Sequence, residues 1–392
     1  MTMTALATSP VGQLVPITGF DPRHGEDFSG QAFIPDPLPA DVKLGQATWK
    51  TVVTAVQELA RLDEAGALIP NPGLLRRPLL RREAVSTSAL EGTHAAFSDV
   101  LEADVTEDRV HTPEVREVRN YVAAAEFAIN EISMGRSLSV ALLCDAHQLL
   151  VHNTKSDGVD AGTVRTRQVI IGPDGCRIDE ARFIPAPADD RLKAGLDAWE
   201  EWLRQASDLP AVVRAAMAHY QFEALHPFHD GNGRIGRLAI LLQLMTEGAL
   251  REALLEVSPW LEARRVDYQD QLFALSQTGN WDPWVRFFAT AVRDQSASAV
   301  ERVNALIEYQ REVHDVLWNN GVRGGAAMHI AEGLVGQPVI NVTWAANRCN
   351  VTFPAANHAI KRLVSLGILE EVTGRDYARV FVATPVLQIV ER

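Results

Sequence analysis

The sequence has few cysteines, with three among 392 residues. They stand at Cys144, Cys176 and Cys349, too far apart for a CxxC metal motif, and an odd number does not suit a disulfide framework. This usage excludes a disulfide-stapled secreted domain. It predicts a chain that works in a reducing cytoplasm.

Long apolar runs and an excess of basic residues are also missing. The longest apolar stretch, residues 238–245, is far below the ~18 residues that a membrane span needs. Residues 1–14 show no basic start followed by an apolar run, so we expect a frayed tail there and not a secretory signal. With 37 Lys and Arg against 50 Asp and Glu, the net charge is −13, which argues against a whole-molecule surface for nucleic acid or anionic lipid.

The composition that is present is that of a globular protein. Hydrophobic residues make up 47% of the chain and charged residues 22%, enough to bury cores without staples. A length of 392 residues predicts two or three domains.

Apolar residues at three- and four-residue spacing predict a mainly α-helical fold. A stretch rich in Pro, Asp and Gly, residues 20–39, is expected to be irregular. Helices are predicted at 41–63, 79–89, 94–101, 115–132, 139–150, 190–204, 211–225, 233–245 and 283–309.

Two segments favour strands. Residues 167–172 and 176–178 flank a Pro-Asp-Gly turn, which predicts a small β-hairpin inside the helical core. After Gly321, two short helices followed by strands at 369–372 and 378–383 predict a C-terminal winged helix-turn-helix.

One segment, with the sequence HPFHDGNGRIGR, concentrates chemistry-bearing residues between two apolar helices. Gly231, Asn232 and Gly233 are residue types that tolerate positive φ, so their backbone N–H groups can form an anion nest at a helix start. Arg234 and Arg237 lie three residues apart, on one helix face, and each can bind phosphate oxygens. The pattern predicts a polyphosphate ligand.

The same segment supplies a metal ligand and a base. Asp230 is a hard oxygen ligand, suited to a Mg²⁺ ion that bridges two phosphates. His226 titrates near neutrality and can act as a general base.

Two other readings of this segment remain open at this point. In the first, a buried turn holds the histidine only as a hydrogen-bonded core residue. In the second, His229 and Asp230 form the HD pair of a metal phosphohydrolase, which needs further ligands. The nearest further histidines in the sequence are His147, His152 and His219.

Residues 226–237 resemble the HxFx(D/E)GNGRxxR signature of Fic-domain proteins, with every defining position filled. The resemblance implies a transfer of AMP from ATP to a protein hydroxyl, with Mg²⁺. It implies that His226 deprotonates the target Ser, Thr or Tyr, that Asp230 binds Mg²⁺, and that Phe228 is a buried anchor for the loop.

The resemblance also assigns the phosphate contacts. The Asn232 side chain and the amides of Gly231 and Gly233 would hold the phosphates. Arg234 would clamp phosphates near the metal, and Arg237 would reach the terminal phosphate. Since the Doc kinase branch has Lys at the position of Gly233, glycine favours nucleotidyl over phosphoryl transfer.

A second motif precedes the core. Residues 87–92, TSALEG, resemble the (S/T)xxxE(G/N) inhibitory motif of some Fic proteins, which begins here at Thr87. The resemblance implies that Glu91 pairs with Arg237 and denies it to the γ-phosphate, and that the carboxylate can also help to remove AMP from a modified target. The alternative is that Ser88 and Glu91 form a capping box, which would start a helix.

The predicted hairpin lies where Fic proteins carry a flap that pairs with the target backbone. Strand addition there would align an extended target segment with His226, and an ordinary surface hairpin is the alternative. Tyr268 matches the family's adenine-side helix in part, because Gln269 stands where members often have a second tyrosine. The residues assigned to target docking are Gln168, Val169, Ile170, Ile171 and Gly172.

In the C-terminal module, residues 353–366 would form the recognition helix. Residues 321–392 contain 7 Lys and Arg and 5 Asp and Glu, so 7 − 5 gives +2, which is not the basic stripe of a committed DNA binder. A protein-interaction or dimer-positioning role therefore stays open. The side chains available to a groove are Asn357, His358, Lys361 and Arg362.

The sequence thus predicts a mainly α fold, with a Fic helical core, a small β-hairpin flap and a C-terminal winged helix-turn-helix. The predicted function is a Mg²⁺- and ATP-dependent protein adenylyltransferase that releases pyrophosphate and is restrained by Glu91. A DNA-binding regulator whose Fic core senses nucleotide is the alternative. Expected partners are ATP, a protein hydroxyl, including one on this chain, a second copy in a homodimer and, under the alternative, DNA. Another nucleotide or a phosphocholine donor stays open.

The predicted divisions are an N-terminal tail and helical segment, a Fic core that includes both motifs, a linker helix and a winged helix. Their bounds are 1–85, 86–295, 296–324 and 325–392.

Overall fold

The computed structural model describes residues 3–21, 23–67, 72–106, 111–173, 175–374 and 379–392. The helices are α1 (Gln46–Ala67), α2 (Pro72–Leu90), α3 (Phe97–Ala103), α4 (Pro113–Ser133), α5 (Val140–Val151), α6 (Asp190–Arg204), α7 (Ala211–Leu225), α8 (Asn232–Thr246), α9 (Ser258–Glu262), α10 (Arg265–Thr278), α11 (Trp281–Asn319), α12 (Ala326–Gly333), α13 (Val342–Cys349), α14 (Phe353–Ser365) and α15 (Thr384–Glu391). The strands are β1 (Gly12–Asp21), β2 (Glu26–Pro35), β3 (Val339–Asn341), β4 (Glu370–Glu371) and β5 (Val380–Val382). Short 3₁₀ helices cover Met3–Leu6 and Ile178–Glu180.

The mainly helical class is confirmed. α6 and α7 have the predicted bounds, and the predicted helix at 283–309 is part of α11, which is 39 residues long. Within the part of the chain that the structure describes, no helix combines the length and the apolar composition of a membrane span.

The chain divides into two compact units. The first contains Met1–Leu59, Ala123–Ala249 and Trp260–Asp294, and the second contains Ala60–Val122, Leu250–Pro259 and Gln295–Arg392. The predicted division at 85/86, 295/296 and 324/325 stays a prediction.

The N-terminal expectations were wrong. Within the stretch 1–14, the described residues 3–14 are not a frayed tail, because Leu6 is fully buried in a 3₁₀ helix and β1 begins at Gly12. Residues 20–39 are not irregular throughout, because β1 and β2, which pair antiparallel from Gly12↔Pro35 to Asp21↔Glu26, extend into this stretch. Between the two strands, Gly25 has φ +69° and donates its N–H to the Asp21 carbonyl at 2.8 Å.

The predicted core hairpin does not form at the predicted positions either. Ile171 instead exchanges backbone hydrogen bonds with Phe183, at 2.8 and 3.0 Å, while Asp174 of the predicted turn lies outside the described residues. The reason is local, since residues 178–180 form a 3₁₀ turn that the Glu180 carboxylate closes on Arg177 N–H at 2.9 Å. We call residues 167–186 the flap loop.

Apolar packing holds the flap loop on the N-terminal hairpin of the same unit. Ala181 and Ile184 pack with Ala32 of β2, and Ile170 and Ile178 join this cluster. Phe33 N–H of β2 donates to the Ile184 carbonyl at 2.8 Å. The flap loop is thus a shaped irregular segment and not a free hairpin.

Helices α7 and α8 are buried on nearly all sides and form the centre of the first unit. Two indoles fasten α7 through its backbone carbonyls: Trp199 donates to Ala218 at 3.0 Å and Trp284 donates to Ala216 at 2.9 Å. Trp284, like Trp281, is therefore a core residue. The segment between these two rigid helices carries the Fic-like signature.

In the second unit, the C-terminal module has a three-stranded antiparallel sheet in the order β3-β5-β4. Val339, Val380 and Val382 of this sheet form one buried cluster with Leu101 and Val105. The helices and strands expected after Gly321 are present, although residues 375–378 of the predicted wing lie outside the described ranges. The winged-helix class itself stays a prediction.

Candidate active site

The loop between α7 and α8 turns at two left-handed residues. His226 ends α7 with φ +54° and donates its N–H to the Phe222 carbonyl at 2.8 Å. Gly231 precedes α8 with φ +76°. A left-handed conformation is uncommon for a residue with a side chain and is often found at functional sites. Of the three residues expected to tolerate positive φ, only Gly231 uses it.

An internal hydrogen-bond pair closes this loop. The Asn232 amide oxygen accepts Phe228 N–H at 2.7 Å, and the Asn232 amide nitrogen donates to the Phe228 carbonyl at 2.8 Å. The Phe228 side chain is fully buried, which confirms it as the anchor. Asn232 is 2% exposed, so its side chain shapes the loop, and a contact between Asn232 and phosphate stays a prediction.

His147 of α5 packs against the loop. Its ring stacks on Phe228 with centroids 4.1 Å apart and planes 5° apart. Its Nδ1 accepts Gly162 N–H at 3.0 Å, so Nε2 carries the proton and donates to the Asp230 carbonyl at 2.9 Å. Burial lowers the pKa of His147, which keeps this neutral tautomer in place.

Asp230 lies at the open side of the loop with a half-buried carboxylate. One oxygen accepts Gly231 N–H at 2.7 Å and the other accepts the Ser156 hydroxyl at 2.5 Å, with an Arg234 nitrogen 3.7 Å away. Burial alone would raise the pKa of Asp230, but the Arg234 charge and these hydrogen bonds lower it below its ordinary value. The carboxylate is therefore ionised at neutral pH.

These residues fit a Mg²⁺ ion that is held partly by its substrate. Mg²⁺ is commonly bound by one or two carboxylates together with phosphates and water, and Asp230 with Ser156 supplies the oxygen donors. Nowhere in the described chain do three His, Cys, Asp or Glu side chains cluster as a metal site. The HD-phosphohydrolase reading needs such a cluster, and the two ring nitrogens of His147 are both engaged by backbone groups.

Arg234 and Arg237 lie in the first two turns of α8 and are 4% and 2% exposed. They add two positive charges to the positive end of the helix. Burial, together with the charge of Arg237, lowers the pKa of His219 on α7 to about 3. His219 is thus a neutral core residue, and both of its ring nitrogens are hydrogen-bonded, to the Gly236 carbonyl at 3.1 Å and to the Tyr268 hydroxyl at 2.7 Å.

Tyr268 of α10 is 4% exposed, and its hydroxyl hydrogen-bonds His219 Nε2 at 2.7 Å. The structure gives it a packing role beside His219 and Trp284. A contact between Tyr268 and a nucleotide stays a prediction.

The candidate inhibitory motif ends a helix. Gly92, with φ +88°, follows α2, and the N–H groups of Gly92 and Thr93 donate to the Ala89 and Ser88 carbonyls at 3.0 Å each. This is the Schellman arrangement of a helix C-terminus, so the capping-box alternative, which required a helix start, is wrong.

Glu91 is exposed at this helix end, whereas Thr87 is fully buried. Glu91 belongs to the second unit and Arg237 to the first, and their pairing stays a prediction.

Of the docking residues, Ile170 packs in the cluster around Ala32, and the Gln168 amide donates to Pro185 O at 3.1 Å.

Sequence reasoning missed three residues that shape the site: His147, Ser156 and Arg165. Arg165 donates to the His226 carbonyl at 2.7 Å. Each lies 60 or more positions before its partner in the loop, with no motif around it, so no local signal marked these contacts.

Comparison with known proteins gives the family. Residues 49–130 match the Fic/DOC family N-terminal domain, and residues 137–244 match the Fic/DOC family domain. Protein adenylyltransferase fic-1 of Caenorhabditis elegans is 32% identical over 157 residues, which is 39% of this chain and 27% of the relative. Protein adenylyltransferase Fic of Drosophila melanogaster is 26% identical over 242 residues, 59% of this chain and 44% of the relative. The chain thus spans between about a quarter and a half of these curated relatives.

Solved structures show the same fold. A Fic family protein from Desulfovibrio desulfuricans G20 superimposes with a TM-score of 0.55 at 22% identity, over 88% of this chain and 98% of that one. Fic-1 from C. elegans gives a TM-score of 0.52 at 23% identity, over 67% of this chain and 73% of that one. The chain thus contains a Fic/DOC family N-terminal domain and a Fic/DOC family domain, and it shares the fold of these solved Fic proteins.

Proposed function

We propose that this protein is an adenylyltransferase that transfers AMP from ATP to a hydroxyl side chain of a protein, restrained by Glu91. The observation that carries the proposal is the loop between α7 and α8. It places a histidine, an ionised aspartate and a helix N-terminus with two arginines within one short turn. Two proteins that are similar to this chain over 157 and 242 residues are named protein adenylyltransferases.

The reaction needs a general base and positively charged groups that bind the phosphates. His226 accepts the proton of the target hydroxyl as its oxygen attacks the α-phosphorus. A new P–O bond forms, and the bond to the β-phosphate breaks to release pyrophosphate. Arg234, Arg237 and the N-terminus of α8 balance the charge of the leaving group. Mg²⁺, bound beside Asp230, would neutralise phosphate charge.

Support for the restraint comes from where Glu91 lies. A carboxylate at a helix C-terminus meets the negative end of the helix dipole, which is unfavourable by about 0.3–1 kcal/mol. Glu91 therefore gains nothing from the dipole of α2. Under the proposal, it withholds Arg237 from the γ-phosphate until the restraint is released.

The first prediction concerns both residues. Wild type, Glu91→Gly and Glu91→Gly/His226→Ala are incubated with Mg²⁺ and ATP labelled at the α-phosphate, and label is measured on the chain and on lysate proteins. We expect label with Glu91→Gly, much less with wild type, and a loss of at least about 100-fold on adding His226→Ala. Glu91→Gly/His229→Ala is the matched control, because it removes an exposed histidine of the same loop.

Two outcomes would contradict parts of the proposal. Equal labelling by wild type and Glu91→Gly would contradict the proposed restraint by Glu91 but not the proposed transferase activity. Label from γ-labelled ATP, or from a labelled phosphocholine donor in place of ATP, would replace adenylyl transfer with another reaction of the same phosphate-binding groups.

A further inference from the structure

Arg165, between α5 and the flap loop, is buried with its charge. It is 3% exposed, and every hydrogen bond described for its side chain goes to a backbone carbonyl. Burial lowers its pKa to about 10, so the guanidinium is still protonated at neutral pH. The charge of Asp189 acts on it through space, but no carboxylate among the described residues accepts a hydrogen bond from it, and burying a charge in this way is costly. The backbone carbonyls that it binds are therefore of interest.

The carbonyls that Arg165 binds belong to two separate segments. The first segment is the end of α7 and the loop that follows it. Arg165 donates to Leu225 O, of the last residue of α7, at 3.3 Å and to His226 O at 2.7 Å. The second segment is the flap loop, which it binds at both ends, with Arg167 O at 3.3 Å and Ala186 O at 2.5 Å. The backbone N–H of Arg165 adds a bond to Pro227 O at 2.9 Å.

The geometry requires arginine. Its planar group carries five donors in a fixed fork, so it reaches both segments at once, whereas a lysine has one compact ammonium. The carbonyl it holds at 2.7 Å is that of His226, whose φ of +54° costs about 1–3 kcal/mol and persists only where the surroundings impose it.

We propose that Arg165 is a positioning residue that couples the flap loop to the backbone of His226, so that a target segment seated on the flap loop lies in register with the imidazole. This rests on the proposed function. A change of Arg165 should slow transfer without weakening the binding of ATP, because none of its described contacts goes to the phosphate-binding groups at the start of α8.

The test uses Arg165→Lys and Arg165→Met in the full-length Glu91→Gly chain. Arg214→Lys is the matched control, since Arg214 is also buried and donates to the Leu203 carbonyl at 3.1 Å and to Glu247 at 2.9 Å. Initial labelling rates as a function of ATP give kcat and KM, isothermal titration gives the ATP Kd, and amide hydrogen exchange follows residues 167–186 and 226–231.

We expect both Arg165 variants to lose at least about tenfold in kcat, with the ATP Kd within about twofold of the parent. Exchange should become faster in both segments together. Arg214→Lys should lower Tm yet keep kcat within about twofold. Unchanged kcat in the Arg165 variants, an equal loss in Arg214→Lys, or faster exchange in one segment alone would overturn the coupling. If the Glu91→Gly parent labels nothing, the proposed function fails, while hydrogen exchange still decides whether Arg165 couples the segments.

Discussion

The loop of the candidate site depends on single residues that adopt uncommon backbone conformations. A Cβ added to Gly231 would lie 2.9 Å from the Leu150 side chain, and the position has φ +76°. We predict that Gly231→Ala lowers the free energy of unfolding by about 2–3 kcal/mol, from left-handed strain plus overpacking, and reduces AMP transfer at least about tenfold. Urea unfolding and the labelling assay measure the two effects.

Gly248 provides the control for this substitution. Its φ of +71° is similar, but nothing lies within 4 Å of an added Cβ. Gly248→Ala should therefore carry the strain alone, about 1 kcal/mol, and leave transfer unchanged. If both variants lose the same stability, or if Gly231→Ala transfers AMP at the parental rate, the close contact at Gly231 has no consequence.

The signature predicted the identities of the site residues better than their contacts. Phe228 is buried as expected, and the Asp230 carboxylate lies at the open side of the loop. The motif did not predict that Asn232 closes the loop on Phe228 or that His226 is left-handed. A sequence motif specifies residue types, whereas the partner of each donor and acceptor depends on segments such as that of His147, which lie far away along the chain.

Among the helices, α7, α8 and α10 meet at one buried imidazole. His219 Nδ1 donates to the Gly236 carbonyl at 3.1 Å, and Nε2 accepts the Tyr268 hydroxyl at 2.7 Å. Burial and the Arg237 charge lower the pKa of His219 to about 3, against about 6.5 in the unfolded chain. Between these values the unfolded state binds one proton more, so the free energy of unfolding falls as the pH falls.

We therefore predict that His219→Gln reduces the acid sensitivity of the fold. Between pH 6 and pH 4, the wild-type free energy of unfolding should fall by about 2 kcal/mol more than that of His219→Gln. Urea unfolding at the two pH values measures the difference. His229→Gln, which changes an exposed histidine, should keep the wild-type slope, and a parallel slope in His219→Gln would refute the assignment.

A buried ionic group in the second unit holds α2, the helix that Glu91 follows. Glu256, 1% exposed, accepts Arg302 of α11 at 2.5 Å and Arg82 of α2 at 3.3 Å. Glu256→Gln would leave two largely buried guanidinium groups without a counter-charge. We predict a loss of about 3–5 kcal/mol in the free energy of unfolding.

A surface pair in the same unit is the control for Glu256. Glu64 accepts Arg251 at 3.1 Å, and both side chains are more than half exposed. Glu64→Gln should cost at most about 1 kcal/mol. Equal small losses in both variants, measured by chemical unfolding, would show that the buried group does not hold α2 in place.

Sequence periodicity predicted helices well and the short strands poorly. α6 and α7 match their predicted bounds because apolar faces at helical spacing are long and regular. β1 and β2 were missed because half-exposed strands give a weak alternating signal and their turn resembled an irregular loop. The core hairpin was misplaced because Ile170 and Ile178 both pack against the cluster that contains Ala32 of β2, a contact that no local pattern reveals.

At the scale of the whole molecule, the two compact units do not follow one another in order along the sequence. Each compact unit is assembled from three separate stretches, and the boundary at Asp294 falls inside α11. The predicted contiguous division stays a prediction, while Leu250–Pro259 is a segment of the second unit that lies in sequence between two segments of the first.

The whole-molecule charge bears on the alternative in which the C-terminal module binds DNA. The chain carries −13, and few cations are displayed on α14. His358, Lys361 and Arg362 are exposed there, but Arg362 donates to the Asn320 carbonyl at 3.1 Å, and Asn357 is held by Arg379 at 2.7 Å. About two phosphate contacts are then available, against the 6–10 or so of a committed DNA-binding protein.

We predict that the full chain binds a fluorescent DNA duplex with a Kd no tighter than about 10⁻⁶ M at physiological salt. Because affinity varies with salt in proportion to the phosphates contacted, two contacts should lose only about tenfold between 50 and 200 mM salt. Lys361→Ala/Arg362→Ala should abolish this weak binding, and Arg204→Ala, an exposed arginine of the first unit, should not. Nanomolar binding with a loss of ~10³-fold or more over the same salt range would instead favour a DNA-binding regulator.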